Sequence, residues 1–157
     1  LKAFEIFRRK NPNYKLMIIG QKGWQSEQFF ELLQQSPARK SIEILGHIDQ
    51  KKLHQLYQNA TALVFPSFYE GFGIPLLEAM NCACPVLCSQ NSSIPEVVVD
   101  AAVFFDPHQP KEIANAMQKI TNNPLLRSQL IEAGLTQGEK FGWDKSAARL
   151  LALFEKI

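Results

Sequence analysis

A chain of 157 residues is long enough to close one hydrophobic core, and a hydrophobic content of 46% is ordinary for a soluble globular protein. With 17 Lys and Arg against 15 Asp and Glu, the net charge of +2 argues against a dedicated nucleic-acid binder, whose basic residues are more numerous and clustered. No segment reads as a signal peptide or a membrane span, and a chain that opens on Leu1 is expected to be a fragment or a processed product.

The pattern alternates helices with short apolar strands. Residues 1–10 read as a helix with Phe4 and Phe7 on one face, ended by Asn11, Pro12 and Asn13. Its basic residues Lys2, Arg8, Arg9 and Lys10 read as a solvated face, with anionic lipid or a partner as the other reading. Residues 15–19 form a strand closed by the turn Gly20 to Gly23. A helix over 25–35 turns Phe29, Leu32 and Leu33 inward, and residues 42–45 form a strand ended by Gly46. Asp49 is an N-cap for a helix carrying Leu53, Leu56, Tyr57 and Ala60. Residues 62–65 form a strand stopped by Pro66, followed by a glycine-rich turn and a helix over 74–81. Residues 86–88 form another strand, and Ser93 to Glu96 reads as a capping box opening a short helix. The last strand is 102–105, and helices begin near Pro110, Pro124 and Trp143.

Short, near-continuous apolar strands are those of a sheet buried on both faces. Helices between them imply right-handed crossovers, hence an α/β fold with a doubly wound parallel sheet, read as one domain over 1–157. Cys82, Cys84 and Cys88 are too close and too odd in number for a disulfide framework, and lack the spacing of a zinc knuckle. They read as small apolar residues around a buried strand, reduced, which suits a cytoplasmic address.

Ligands of an open parallel sheet bind beyond the carboxyl ends of its strands. Of the loops there (20–23, 46–49, 66–73, 89–93 and 106–109), the richest is 66–73, Pro-Ser-Phe-Tyr-Glu-Gly-Phe-Gly, directly before the helix that starts Ile74-Pro75. Gly71 and Gly73 let the backbone approach a ligand, and the helix start offers free N–H groups and partial positive charge to a phosphate. Glu70 precedes this helix and Glu78 lies about one turn inside it. Carboxylates repel phosphate but accept from pairs of hydroxyls. Amides flanked by two carboxylates suit a ligand with a central phosphate and a polyol at each end, the layout of a nucleotide sugar. From spacing alone, a solvated loop acid at Glu70 and a dipole-stabilised surface acid at Glu78 remain open readings.

The run from Phe65 to Met80, with Glu70 and Glu78 separated by seven residues, resembles the hallmark of glycosyltransferase family 4. Supporting stretches match in order: Ile19-Gly20, Leu45-Gly46-His47-Ile48, Leu53 to Ala60, Pro85-Val86, Ser93 to Val97, Phe105 to Pro107, and Phe141-x-Trp143. The resemblance implies a Rossmann-like, three-layer α/β/α domain, one half of a GT-B fold. It implies the donor-binding half of a retaining enzyme that moves a hexosyl group from a nucleotide diphosphate sugar to an acceptor, with no essential metal. Glu70 would contact the transferred sugar near the reacting carbon, and Glu78 would hold the ribose diol. Gly71, Phe72, Gly73 and Ile74 would line the sugar and phosphate, the first three mainly through the backbone. Gly46, His47 and Ile48 would lie against the base, mostly through the backbone, with His47 a loop residue rather than a catalyst; Gly20 and Lys22 would approach the diphosphate, an exposed turn lysine being the other reading of Lys22. Ser93 and Glu96 are expected to cap their helix.

The resemblance also implies parts that precede Leu1: an acceptor-binding N-terminal domain, an Arg and a Lys that stabilise the departing diphosphate, and a central strand between those at about 15–19 and 62–65. Without that strand the sheet is expected to have a gap at its middle, and the chain alone is expected to be inactive. Peripheral contact with the inner face of a membrane is the further partner implied for the whole enzyme, and no nucleic acid. A non-catalytic nucleotide-sugar-binding module and a GT-B phosphorylase or epimerase are the alternatives. Ala83 stands where the family usually has Gly, in a helix-to-strand turn expected to need positive φ.

Overall fold

The computed structural model describes residues 1–21, 23 and 26–155. Helix α1 (Lys2–Arg8) leads to β1 (Leu16–Ile19), α2 (Glu27–Gln35), a 3₁₀ turn at Arg39–Ser41 and β2 (Ile42–Gly46). Next come α3 (Gln50–Asn59), β3 (Leu63–Phe65), α4 (Ile74–Asn81), β4 (Val86–Ser89), α5 (Ile94–Val98) and β5 (Ala102–Phe105). Three helices follow: α6 (Pro110–Asn122), α7 (Pro124–Gly138) and α8 (Trp143–Phe154).

Every strand pairing is parallel, as strands joined by helical crossovers must be. The alternation of side chains along β4 divides the core. Leu87 joins a cluster with Phe4 and Phe7 of α1, Leu33 of α2 and Ile113, Met117 and Ile120 of α6. Val86 and Cys88 point the other way, into a cluster with Tyr57 of α3, Leu76, Leu77 and Met80 of α4, and Ile94 and Val98 of α5. The fold is therefore a three-layer α/β/α sandwich, with β4 buried along its whole length.

The expected gap is present. The strands form two separate ladders, β1-β2 and β3-β4-β5. Between β1 and β3 lies a cavity of about 420 Å³, lined by Leu16, Met17, Leu63 and Val64 with Phe7, Tyr14 and Met117. The parallel sheet is thus interrupted, because no strand among the described residues joins the two edges. The β1-β2 pair is also less enclosed than its composition suggested: Met17 (44%), Ile19 (39%) and Ile44 (38%) are exposed. In α2 only Leu33 is buried; Leu32, expected inward, faces solvent, because the helix spans only Glu27–Gln35 and presents one narrow apolar stripe.

Two terminal details follow their residues closely. The Asp49 carboxylate accepts from Lys52 N at 2.7 Å and caps α3. Ala83 has φ of +55° in the α4–β4 turn, as its position requires. All three cysteines are free, with Cys84 and Cys88 buried.

Candidate functional site

The start of α4 lies at the carboxyl end of β3. Gly73 forms its N-cap in a left-handed conformation, φ +94° and ψ +46°. A Cβ there would come within 2.9 Å of Leu76 Cδ1, so glycine is needed both for the turn and for the space. No side chain caps the helix, and Pro75 occupies its first turn. An end without a side-chain acceptor keeps its partial positive charge available to an anion.

Glu70, Gly71, Phe72, Gly73 and Ile74 form one continuous approach to that end. Phe72 packs edge-on against Phe141, with ring centroids 5.7 Å apart. Phe68 stacks on His108 at 4.7 Å. The Glu70 carboxylate accepts from Ser67 Oγ at 3.0 Å. Glu78, one turn into α4 on its half-buried flank, accepts from Gln50 Nε2 at 3.3 Å, which ties it to the start of α3. Its negative charge adds to burial in pushing the Tyr57 hydroxyl up to about 12, burial being the larger cause, and likewise raises the Cys82 thiol after burial.

The β1 and β2 ends are joined: Gly20 N donates to Gly46 O at 3.0 Å, and both glycines have positive φ, +138° and +64°. His47 is exposed and Ile48 half-buried on the loop that continues to Asp49. Lys22 lies outside the described residues. Glu70, Gly71, Phe72, Gly73, Ile74 and Glu78 are all absent from the lining of the large cavity between β1 and β3, which belongs to the interrupted sheet. Among the described residues, no group of three or more His, Cys, Asp or Glu is arranged to hold a metal ion.

The expected capping box at Ser93 is not formed. Ser93 Oγ makes no cap bond to α5 and instead donates to Glu70 O at 2.8 Å. Its hydroxyl is taken by a tertiary partner, which competes with the local one. It belongs to a network that sequence reasoning missed. Ser92 Oγ accepts from Glu70 N at 2.9 Å. Asn91 Nδ2 donates to Ser67 O and Phe68 O, both at 3.0 Å. Ser89 Oγ donates to Ser67 O at 2.5 Å. The one available signal was a run of short polar side chains, Ser89 to Ser93, directly after a buried strand. Gln50 carried no signal beyond following the Asp49 cap.

The family model for glycosyl transferases group 1 matches residues 1–137. The chain belongs to that family. Among glycosyl transferases of this group, it is 34% identical over 158 residues to the O-antigen chain mannosyltransferase B of Escherichia coli, an alignment that takes in 100% of this chain and 42% of the relative. The chain thus spans about two fifths of that relative's length. The solved C-terminal domain of a glycosyl transferase group 1 family protein from Francisella tularensis is 25% identical, with a TM-score of 0.77 over 88% of this chain and 75% of the other. The sucrose-phosphate synthase of Thermosynechococcus elongatus shares the fold with a TM-score of 0.87 at 24% identity, covering 99% of this chain and 41% of that one. These likenesses place the chain in one half of a GT-B fold.

Proposed function

We propose that the chain is the donor-binding domain of a retaining hexosyltransferase that uses a nucleotide diphosphate sugar. The observation that carries this reading is the uncapped start of α4 with an acid on either side, Glu70 before it and Glu78 one turn inside. The anion-favouring end takes the diphosphate. Glu78, already an acceptor for the Gln50 amide, takes the ribose diol. Glu70 takes hydroxyls of the transferred sugar and orients it at the reacting carbon. The joined turns at Gly20 and Gly46 border the base and diphosphate, with His47 and Ile48 beside the base.

In this reading the leaving diphosphate is stabilised by the α4 amides together with an Arg and a Lys supplied by the segment preceding Leu1. Retention follows from departure and attack on the same face of the sugar, which Glu70 holds. The slot between β1 and β3 receives a strand from that same preceding segment: α1 lies between Leu1 and β1, and a right-handed crossover through it sets such a strand parallel to β1. The acceptor is held by the N-terminal domain, the chain alone transfers nothing, and the whole enzyme works in the cytoplasm without an essential metal. Among the described residues no helix is long and apolar enough to cross a membrane; peripheral membrane contact of the whole enzyme belongs to the same reading. The likeness to a mannosyltransferase makes mannose the first hexose to test.

The test is titration calorimetry and turnover of the full-length protein with GDP-mannose, UDP-glucose and ADP-glucose. Glu78→Gln is expected to weaken nucleotide binding about tenfold, the loss of one charge-assisted contact of roughly 1.4 kcal/mol. Glu70→Gln is expected to lower kcat about a hundredfold, with KM for the donor little changed. Unchanged binding and unchanged kcat in both variants remove the assignment.

A further inference from the structure

The loop that carries Glu70 is short of support from its own strand and helix. Gly71 and Phe72 are exposed, and a Cβ on Gly71 would meet nothing within 4 Å. Beside the ring contacts of Phe68 with His108 and of Phe72 with Phe141, what fixes it is the turn between β4 and α5. That turn grips the Glu70 peptide from both sides: Ser92 Oγ accepts its N–H at 2.9 Å and Ser93 Oγ donates to its carbonyl at 2.8 Å. Between them these bonds hold the backbone on each side of the Glu70 Cα, and with it the direction in which the side chain leaves. Ser67 Oγ stands 3.0 Å from the carboxylate and 3.0 Å from Tyr69 O, and shares its one proton between them.

Two costs in the same turn are hard to explain by folding alone. Ser92 sits at φ +47°, a left-handed conformation that disfavours a residue with a Cβ. Asn91 commits its amide nitrogen to two carbonyls of the loop, while its Oδ1 is buried with no partner among the described residues.

We infer that Ser92 and Ser93 are positioning residues for sugar transfer, acting through Glu70. The inference rests on the role given to Glu70 above. Their hydroxyls aim the Glu70 carboxylate at the hexose, so their loss misdirects the carboxylate without emptying the nucleotide subsite at Glu78.

The test uses the full-length protein with whichever of GDP-mannose, UDP-glucose and ADP-glucose it turns over. Ser92→Gly keeps the positive φ and removes the acceptor; Ser93→Ala removes the donor; Ser93→Thr retains it. The first two are expected to lower kcat at least tenfold, with the donor KM and the affinity for the free nucleoside diphosphate changed less than threefold, while Ser93→Thr keeps the parent kcat. In a double-mutant cycle, adding Ser93→Ala to Glu70→Gln is expected to slow the enzyme less than twofold further, because both act on one group. Parent kcat in Ser92→Gly and Ser93→Ala, with Glu70→Gln slow, overturns the inference and leaves the role of Glu70 standing. Parent kcat in Glu70→Gln, or turnover of none of the three donors, overturns both. Slowing that comes with lost nucleotide affinity, or that Ser93→Thr shares, or that adds fully to Glu70→Gln, marks a merely structural role and also overturns the inference.

Discussion

Ala83 closes the α4–β4 turn at φ +55°, and its side chain is exposed, so it suffers the conformational cost of a Cβ without the return of packing. Ala83→Gly is expected to raise stability by about 0.5–1 kcal/mol, the relief of left-handed strain of about 1–2 kcal/mol less the added freedom of the unfolded chain. Chemical denaturation measures it as a higher midpoint at constant m-value. That turn was legible through the family resemblance, because Ala83 stands where the family usually carries Gly, the residue suited to positive φ. Ser93 was not legible. Ser-x-x-Glu before an apolar run describes a capping box wherever it occurs, and only the approach of the Glu70 loop in space decides that the hydroxyl goes elsewhere. Gln50 at Glu78 is a case of the same kind, two elements meeting 28 residues apart in sequence.

Helix α4 carries the site and is fixed from behind by α7. The two approach closely at Gly134, where a Cβ would stand 3.2 Å from Met80 Cγ, a buried side chain with little room to yield. Gly134→Val adds a branched group at that contact and is expected to cost about 1–3 kcal/mol by overpacking, seen as a lower thermal midpoint. The same change is expected to weaken nucleotide binding only as far as α4 shifts. The strands and α-helices and their order were readable, because short apolar runs closed by turn residues alternate with segments of helical spacing; the 3₁₀ turn at Arg39–Ser41 carried no such signal. Burial was less readable at the edges of the chain's own sheet. Met17, Ile19 and Ile44 have the composition of enclosed strand residues, and their exposure reflects which neighbours surround β1 and β2, a property that no window of sequence contains.

At the scale of the molecule, the buried thiols set an alkaline limit. Burial raises Cys84 to about 11 and Cys88 to about 12 from an ordinary 9.0, and raises Tyr57 to about 12 from 10.0. These are acids whose folded form resists ionisation, so their contribution is complete below pH 9 and declines above it, as the unfolded chain loses protons that the folded chain retains. Each thiol is expected to remove about 1.4 kcal/mol per pH unit between its unfolded and folded values, with Tyr57 joining above pH 10. Thermal melts from pH 8 to 11 are expected to show a midpoint that is flat and then falls, and Cys88→Ala is expected to flatten the fall. The interrupted ladder has a consequence of its own. Hydrogen bonding across a sheet is what makes strands yield together, and here that continuity ends at the slot. The β1-β2 pair is coupled to the other three strands through the apolar side chains of α1 and α6, which Leu87 and Phe105 meet from below. Side-chain contact loosens gradually where a strand pair parts all at once, so heat and denaturant reach the Gly20 and Gly46 turns before they reach Glu70. In the role proposed for these turns, that is the half of the crevice facing the base, and amide exchange in this chain by itself is expected to be faster at Gly20 and Gly46 than at Glu70.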